Sequence, residues 1–322
     1  MRRAVMLLAA VLAIAAYQPA VAQDYPSKQI KLVVPYPPGG PTDVMARKLG
    51  EQLQVLWGQP VIVENRAGAN GNIAAQLVAK AAPDGYTIIL HSSSMVINPL
   101  LYKAVGYDPF TEFVPISLVF DYKLMVVVHP SLPVTSLAEL VAAAKAKPGQ
   151  ISYASAGGVG APTHLAVEMF KQIAGIDVLH VPYAGGAPAV SDLLGGHVQL
   201  MFNNPTQSLP HIKAGKLRAL ATTGSNRMEQ APELPTVAEL GYPGFDVGTW
   251  FALWGPAGVP APIVDKLSAA VAAITRKPDV KVMLLGQGMT VIGSTPAELA
   301  TYQKLEAERW GVVIKAANIK LE

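Results

Sequence analysis

Cysteine is absent from the 322 residues. That excludes disulfides, thiolate metal sites, thiol nucleophiles and lipid attachment through a cysteine. Charge is sparse as well, at 15% of residues with a formal net charge of +3. So small a balance gives no electrostatic footprint for nucleic acid or anionic lipid, and no nucleic-acid partner is expected. Long apolar runs are missing too. The one unbroken run, residues 4–16, is shorter than the ~20 residues that span a bilayer as a helix. Several catalytic signatures are also lacking: there is no G-x-x-x-x-G-K-[ST], no H-E-x-x-H, no G-x-S-x-G, and no G-x-G-x-x-G after a strand-like run. The histidines, at 91, 129, 164, 180, 197 and 211, have no metal-ligand spacing. No catalytic residue, metal or cofactor is therefore assigned.

The N-terminus explains part of the high hydrophobic content. Met1-Arg2-Arg3 is a basic start, residues 4–16 are apolar, and Ala20-Val21-Ala22 has the small-x-small form of a cleavage site. Residues 1–22 read as an export signal removed before Gln23, so the mature chain is expected outside the cytoplasm. Removing Arg2 and Arg3 lowers the net charge from +3 to +1.

Beyond the leader, strand-like and helix-like runs alternate. Residues 30–34, 61–63 and 86–90 are apolar and short, while 41–56 and 72–82 carry helical spacing. Such a βαβαβ rhythm implies an α/β fold with a parallel sheet flanked by helices. The rhythm restarts with strands at 124–128, 151–154, 178–181, 198–202 and 217–221, and with helices opening near Ser136, Pro162 and Pro188. A strand near 250–254 and helices at 262–276, 278–286 and 295–310 close the chain. Two such units without a low-complexity linker predict two lobes, each a mainly parallel sheet between helices, with a ligand cleft between them. The boundaries read 23–123 with 249–322 for the first domain and 124–248 for the second, joined by crossings near 119–126 and 246–252.

Two loops carry the chemistry. After the first strand comes PYPPGGPTD, residues 35–43. The carboxyl end of a strand meeting a helix N-terminus is where α/β sheets bind ligands, because the first helical N–H groups lack internal partners. Prolines aim this loop, and Gly39 and Gly40 admit a ligand to the main chain. Tyr36, Thr42 and Asp43 complete the candidate set here. Asp43 falls about three residues into the helix, where a carboxylate caps loop N–H groups. The second unit repeats the device with Ser155, Ala156, Gly157, Gly158, Val159, Gly160 and Ala161, followed by His164 in the first helical turn. His164 reads either as a packing histidine or as a ligand contact. Ser92 and Ser93 after the third strand offer hydroxyls, and Asn203 after residues 198–202 would face the cleft from the second unit. No lysine or arginine lies in the two loops, so an acid held there would meet main-chain donors, hydroxyls and water.

These residues together resemble a known family. Val33 to Asp43, Pro83-Asp84-Gly85-Tyr86-Thr87, Asn98-Pro99-Leu100-Leu101-Tyr102, Gly157 to Gly160 with His164, Val181-Pro182-Tyr183, and His211 to Leu220 are similar to the extracytoplasmic solute receptors of the tripartite tricarboxylate transporter system, also called Bordetella uptake gene (Bug) proteins. The resemblance covers nearly the whole chain. It implies a Venus-flytrap periplasmic binding fold, no enzymatic activity, and capture of a small mono-, di- or aromatic carboxylate by the loops at 36–43 and 155–161. It further implies delivery to membrane permease subunits, with the receptor expected to be a monomer. Relatives often carry Asp where Asn203 stands, which speaks against a ligand ammonium group at that point. Two other readings compete: an exported hydrolase built from Ser92–Ser94, His91 and Asp43, and a receptor that hands its ligand to a signalling partner.

Overall fold

The computed structural model describes residues 25–319, so the expected leader and its cleavage point lie outside the described residues. In chain order the strands are β1 Ile30–Val34, β2 Val61–Asn65, β3 Thr87–Ser92, β4 Phe113–Lys123, β5 Met125–Val128, β6 Ser152–Ala156, β7 Leu179–Tyr183, β8 Leu200–Asn203, β9 Arg218–Thr222, β10 Gly248–Pro256 and β11 Thr290–Val291. The helices are α1 Pro41–Trp57, α2 Asn72–Ala79, α3 Ser94–Leu101, α4 Leu137–Ala146, α5 Pro162–Ala174, α6 Gly186–Leu194, α7 Pro205–Lys213, α8 Ala261–Thr275, α9 Pro278–Gly286 and α10 Pro296–Ala316.

The strands form two sheets, in the orders β11-β4-β10-β3-β1-β2 and β7-β6-β8-β5-β9. The two-lobed α/β architecture expected from the sequence is present, but both sheets are mixed. Strand β10 runs antiparallel to β3 and β4, β11 antiparallel to β4, and β5 antiparallel to β8 and β9. The cause is topological. Strands β5 and β10 enter their sheets from the other lobe, so each must run away from the edge where the lobes meet.

That edge positions the site. In the first sheet β1 and β3 are parallel, and β4 shares their direction because it too opposes β10. Their carboxyl ends, Val34, Ser92 and Lys123, therefore gather at one edge, where β10 begins at Gly248. In the second sheet β6, β7, β8 and β9 end together at Ala156, Tyr183, Asn203 and Thr222, where β5 begins at Met125. Only Leu124 separates β4 from β5, so the two carboxyl edges adjoin.

Thr223 ties the crossings. Its hydroxyl oxygen accepts the Leu124 N–H (2.8 Å) and its O–H donates to the Val247 carbonyl. Main-chain bonds from Thr223 to Leu124 (2.9 Å) and from Val247 to Thr223 (2.8 Å) complete the joint. The main core fills both lobes, from Leu32, Val33 and Ile89 in the first sheet to Val126, Tyr153 and Phe202 in the second. A smaller cluster around Val127, Met201 and Leu193 lies on the other face of the second sheet.

Candidate functional site

The loop after β1 is held from within. Gly39 has φ +86, the left-handed region that glycine enters without a Cβ penalty. Its N–H donates to Asp43 Oδ2 at 2.9 Å. Asp43 also accepts Arg47 Nε at 3.0 Å and Asn65 Nδ2 at 3.0 Å, and Asn65 Nδ2 reaches the Tyr36 carbonyl at 3.0 Å. Burial alone would raise the Asp43 carboxyl, but the Arg47, Gly39 and Asn65 donors outweigh it and hold it below the usual carboxylate value. Asp43 is thus engaged in shaping the loop, and the Gly39 amide is taken up with it. The N–H groups of Gly40, Thr42 and Asp43 meet no acceptor among the described residues.

Beside this loop, the Tyr36 hydroxyl pairs with Ser92 Oγ at 2.5 Å, and Ser92 Oγ also accepts the Ser94 N–H at 3.2 Å. Ser93 is buried, its N–H bound to the Trp250 carbonyl at 2.8 Å and its hydroxyl unpaired. His91 is fully buried against Gly71, its basicity pushed down to about 4 by burial. Its Nδ1 lies 3.2 Å from the Ser92 carbonyl rather than against a serine hydroxyl, while Asp43 is bound elsewhere. The Ser/His/Asp arrangement that the hydrolase reading needs is not assembled.

The loop after β6 is built on three left-handed glycines, Gly157 (φ +99), Gly158 (φ +83) and Gly160 (φ +79). Its amides are largely engaged. Ala156 N–H meets Thr163 Oγ1 at 3.0 Å, Gly157 N–H the Tyr183 carbonyl at 2.9 Å, and Gly160 N–H the Nδ1 of His164 at 3.0 Å. Ala161 N–H makes a long contact of 3.4 Å to the Gly158 carbonyl. Among the described residues no acceptor meets the N–H of Gly158 or Val159. Ser155, fully buried, contacts the Gly158 carbonyl at 3.2 Å and His180 Nε2 at 2.7 Å. His164 is buried and neutral: burial, the neighbouring His180 and Lys171 push it down to about 3. It acts on the loop rather than projecting as a charge.

Asn203 is fully buried at the end of β8, with Nδ2 donating to Ser208 Oγ at 3.0 Å and Oδ1 unpaired. Thr222 and Thr249, not singled out by the sequence, also bury unpaired hydroxyls. Thr222 ends β9 and shares a row with Asn203 through Met125, and Thr249 lies one residue into β10. Thus Ser93, Thr249, Asn203 and Thr222 place unpaired polar atoms along the two adjoining edges. Buried polar atoms are ordinarily satisfied by protein, water or ligand, so this concentration marks the edges as a polar cleft. Only the long-range pairing of β9 with β5 and of β10 with β3 and β4 reveals the two threonines, and no local pattern points to them. Among the described residues no cluster of histidine and acidic side chains could hold a metal ion. Among the described residues, one cavity of about 450 Å³ lies in the second lobe beside Leu209, Ile212 and Arg218, and another of about 470 Å³ at the seam beside Lys123, Gly224 and Gly288, both apart from the loops.

The chain as a whole is similar to known proteins. The profile of a family described as "Tripartite tricarboxylate transporter family receptor" matches residues 45–319. Protein BugT of Bordetella pertussis is 40% identical over 306 residues, 94% of each chain. A solved R. palustris protein with adipate superposes with a TM-score of 0.85 at 38% identity, covering 92% of this chain and 99% of its own. MatC from Rhodopseudomonas palustris, with bound malate, gives 0.80 at 32% identity, covering 90% and 100%.

Proposed function

Because the chain belongs to the tripartite tricarboxylate transporter receptor family, we propose that it is a periplasmic receptor that closes two facing loops on a small carboxylate and delivers it to a membrane permease. In this reading residues 1–22 are the export leader. Residues 23–123 with 249–322 form one closing domain, and 124–248 form the other. The observation that carries the proposal is the pairing of glycine loops on adjoining edges. Each loop offers amides without protein acceptors, Gly40 and Thr42 on one side and Gly158 and Val159 on the other. The unpaired oxygens of Ser93, Asn203, Thr222 and Thr249 stand nearby.

The donors are neutral, so the acid is held by main-chain N–H groups, hydroxyls and bridging water rather than by an arginine fork. A helix N-terminus behind each loop adds the positive end of its dipole. Asp43, His164 and Thr163 shape the loops, while Tyr36, Ser92 and Ser93 line the first edge and Asn203 the second. Adipate and malate, bound by the two related structures, set the size class. In this reading the receptor performs no catalysis, and the Ser92–Ser94, His91 and Asp43 arrangement of the hydrolase reading is not assembled.

A thermal-shift panel on the protein lacking residues 1–22 tests this. Short dicarboxylates should stabilise it in a concentration-dependent way, by about 2.7 kcal/mol at a hundredfold excess over Kd, while amines and neutral sugars leave it unchanged. Stabilisation by a sugar and by no acid would overturn the proposal.

A further inference from the structure

His180, on β7, stands outside the two loops yet touches the side chains that hold one of them. We infer that His180 is a positioning residue for the ligand: by donating through Ser155 to the Gly158 carbonyl, it aims the Val159 amide into the cleft. The inference rests on the carboxylate reading of that cleft.

The geometry is a short relay. His180 Nε2 lies 2.7 Å from Ser155 Oγ, and Ser155 Oγ lies 3.2 Å from the Gly158 carbonyl oxygen. Ser155 has one proton to give, so both contacts are hydrogen bonds only if His180 donates from Nε2 and Ser155 passes its own proton on to Gly158. This fixes His180 in the Nε2–H tautomer. A trans peptide points its C=O and N–H in opposite directions. Drawing the Gly158 carbonyl inward toward Ser155 therefore turns the Val159 N–H outward. Val159 is one of the two loop amides without a protein acceptor.

A second contact fixes the next peptide. Gly160 N–H donates to His164 Nδ1 at 3.0 Å, which leaves the proton of neutral His164 on Nε2. The two imidazoles stack at 4.0 Å, and Tyr153 stacks on His180 at 4.9 Å. Opposite ring nitrogens thus serve one loop, a donor on His180 and an acceptor on His164. Gly157, Gly158 and Gly160 all occupy left-handed backbone, where glycine has the most alternative conformations to lose. Such a loop needs side chains to select one of them. Simple core filling would not require a hydroxyl and two matched ring nitrogens at these points.

The test compares His180→Phe and His180→Gln with the wild type, using adipate and malate as probes. Phenylalanine keeps a ring for the stack and removes the N–H; glutamine restores an N–H donor. Binding to His180→Phe should be about tenfold weaker, as for loss of one aligned donor, and His180→Gln should recover most of it. In the ligand-free protein the Val159 amide resonance should move in His180→Phe and return in His180→Gln. Imidazole nitrogen spectra of the wild type should show both His164 and His180 as Nε2–H tautomers. Unchanged affinity in His180→Phe, or a Val159 resonance that stays in place in that variant, would overturn the inference. Should the wild type bind neither acid, the carboxylate reading falls separately, and the ligand-free spectra still decide the role of His180.

Discussion

Asp43 occupies the position where a catalytic acid would be sought, yet its oxygens already accept from Gly39, Arg47 and Asn65. Its lowered carboxyl value makes it a pH-dependent element of stability. A group whose folded value lies below its unfolded one contributes above the unfolded value, and the contribution is lost as pH falls through the folded value. The stability gap between wild type and Asp43→Asn, read from urea midpoints, should therefore be widest near neutrality and shrink as pH falls below about 4. A gap independent of pH would contradict this role. The glycines divide in the same residue-level way. Gly40 has ordinary backbone, and an added Cβ would meet only the Pro37 carbonyl at 3.9 Å. Gly158 has open space around it but sits at φ +83. Gly40→Ala should fold with stability within about 0.5 kcal/mol of wild type, so that any lost affinity reports ligand contact. Gly158→Val should cost roughly 1–2 kcal/mol of backbone strain and weaken acid binding at least tenfold, with its circular dichroism retained. The capping role of Asp43 is legible in the sequence because its partner loop is adjacent. The roles of His164 and His180 are not, because the stack that selects their tautomers joins a helix to an edge strand.

At the scale of elements, β10 docks on α10 through buried polar contacts. Trp250 and Trp254 of β10 donate their indole N–H groups to Glu306 Oε2 at 3.0 Å and Gln303 Oε1 at 2.9 Å, and Trp310 of α10 itself donates to the same Glu306 Oε2 at 3.1 Å. Glu306→Ala would leave two buried donors unsatisfied. It should cost on the order of 3 kcal/mol, seen as a lower urea midpoint, whereas Glu306→Gln keeps an acceptor and should cost less than half as much. Elements closed by local signals are legible in the sequence. Helix α5 runs from its N-terminal Pro162 to Ala174, and α10 opens with the capping box of Thr295 and Glu298. Helix α3 is not announced locally, because an Asn-Pro dipeptide such as Asn98-Pro99 ordinarily marks a turn. Pro99 cannot donate to the Met95 carbonyl, and the Tyr107 hydroxyl donates to that oxygen instead at 3.2 Å. The sequence offers no local sign of that distant replacement. Strand β4 likewise begins at Phe113, ahead of any apolar run that announces it, because its partner β10 lies far along the chain.

For the whole molecule, few connections join the lobes at the crossings, and Thr223 is bonded to both segments. Contacts at the seam add to them. Gln230 Nε2 reaches the Leu285 carbonyl at 2.7 Å, and Gln172 Nε2 the Val313 carbonyl at 3.1 Å. Lys123 bridges Asp246 at 2.9 Å and Asp121 at 3.4 Å. In the proposed receptor the two lobes hinge at this joint, and a ligand can drive closure only through contacts made in the closed state. Thr223→Val keeps the shape but strips the joint of its hydroxyl bonds. It should destabilise the fold by roughly 2 kcal/mol and alter the change in radius of gyration that adipate produces in solution scattering; an identical response would mean that the joint lies elsewhere. In the proposed receptor one acid bridges both glycine loops. An amide-resolved titration of the protein lacking residues 1–22 with adipate and malate tests this. The Gly40, Thr42, Gly158 and Val159 resonances should move together along one saturation curve with a single Kd. Saturable binding that shifts the amides of one lobe while those of the other stay fixed would contradict it.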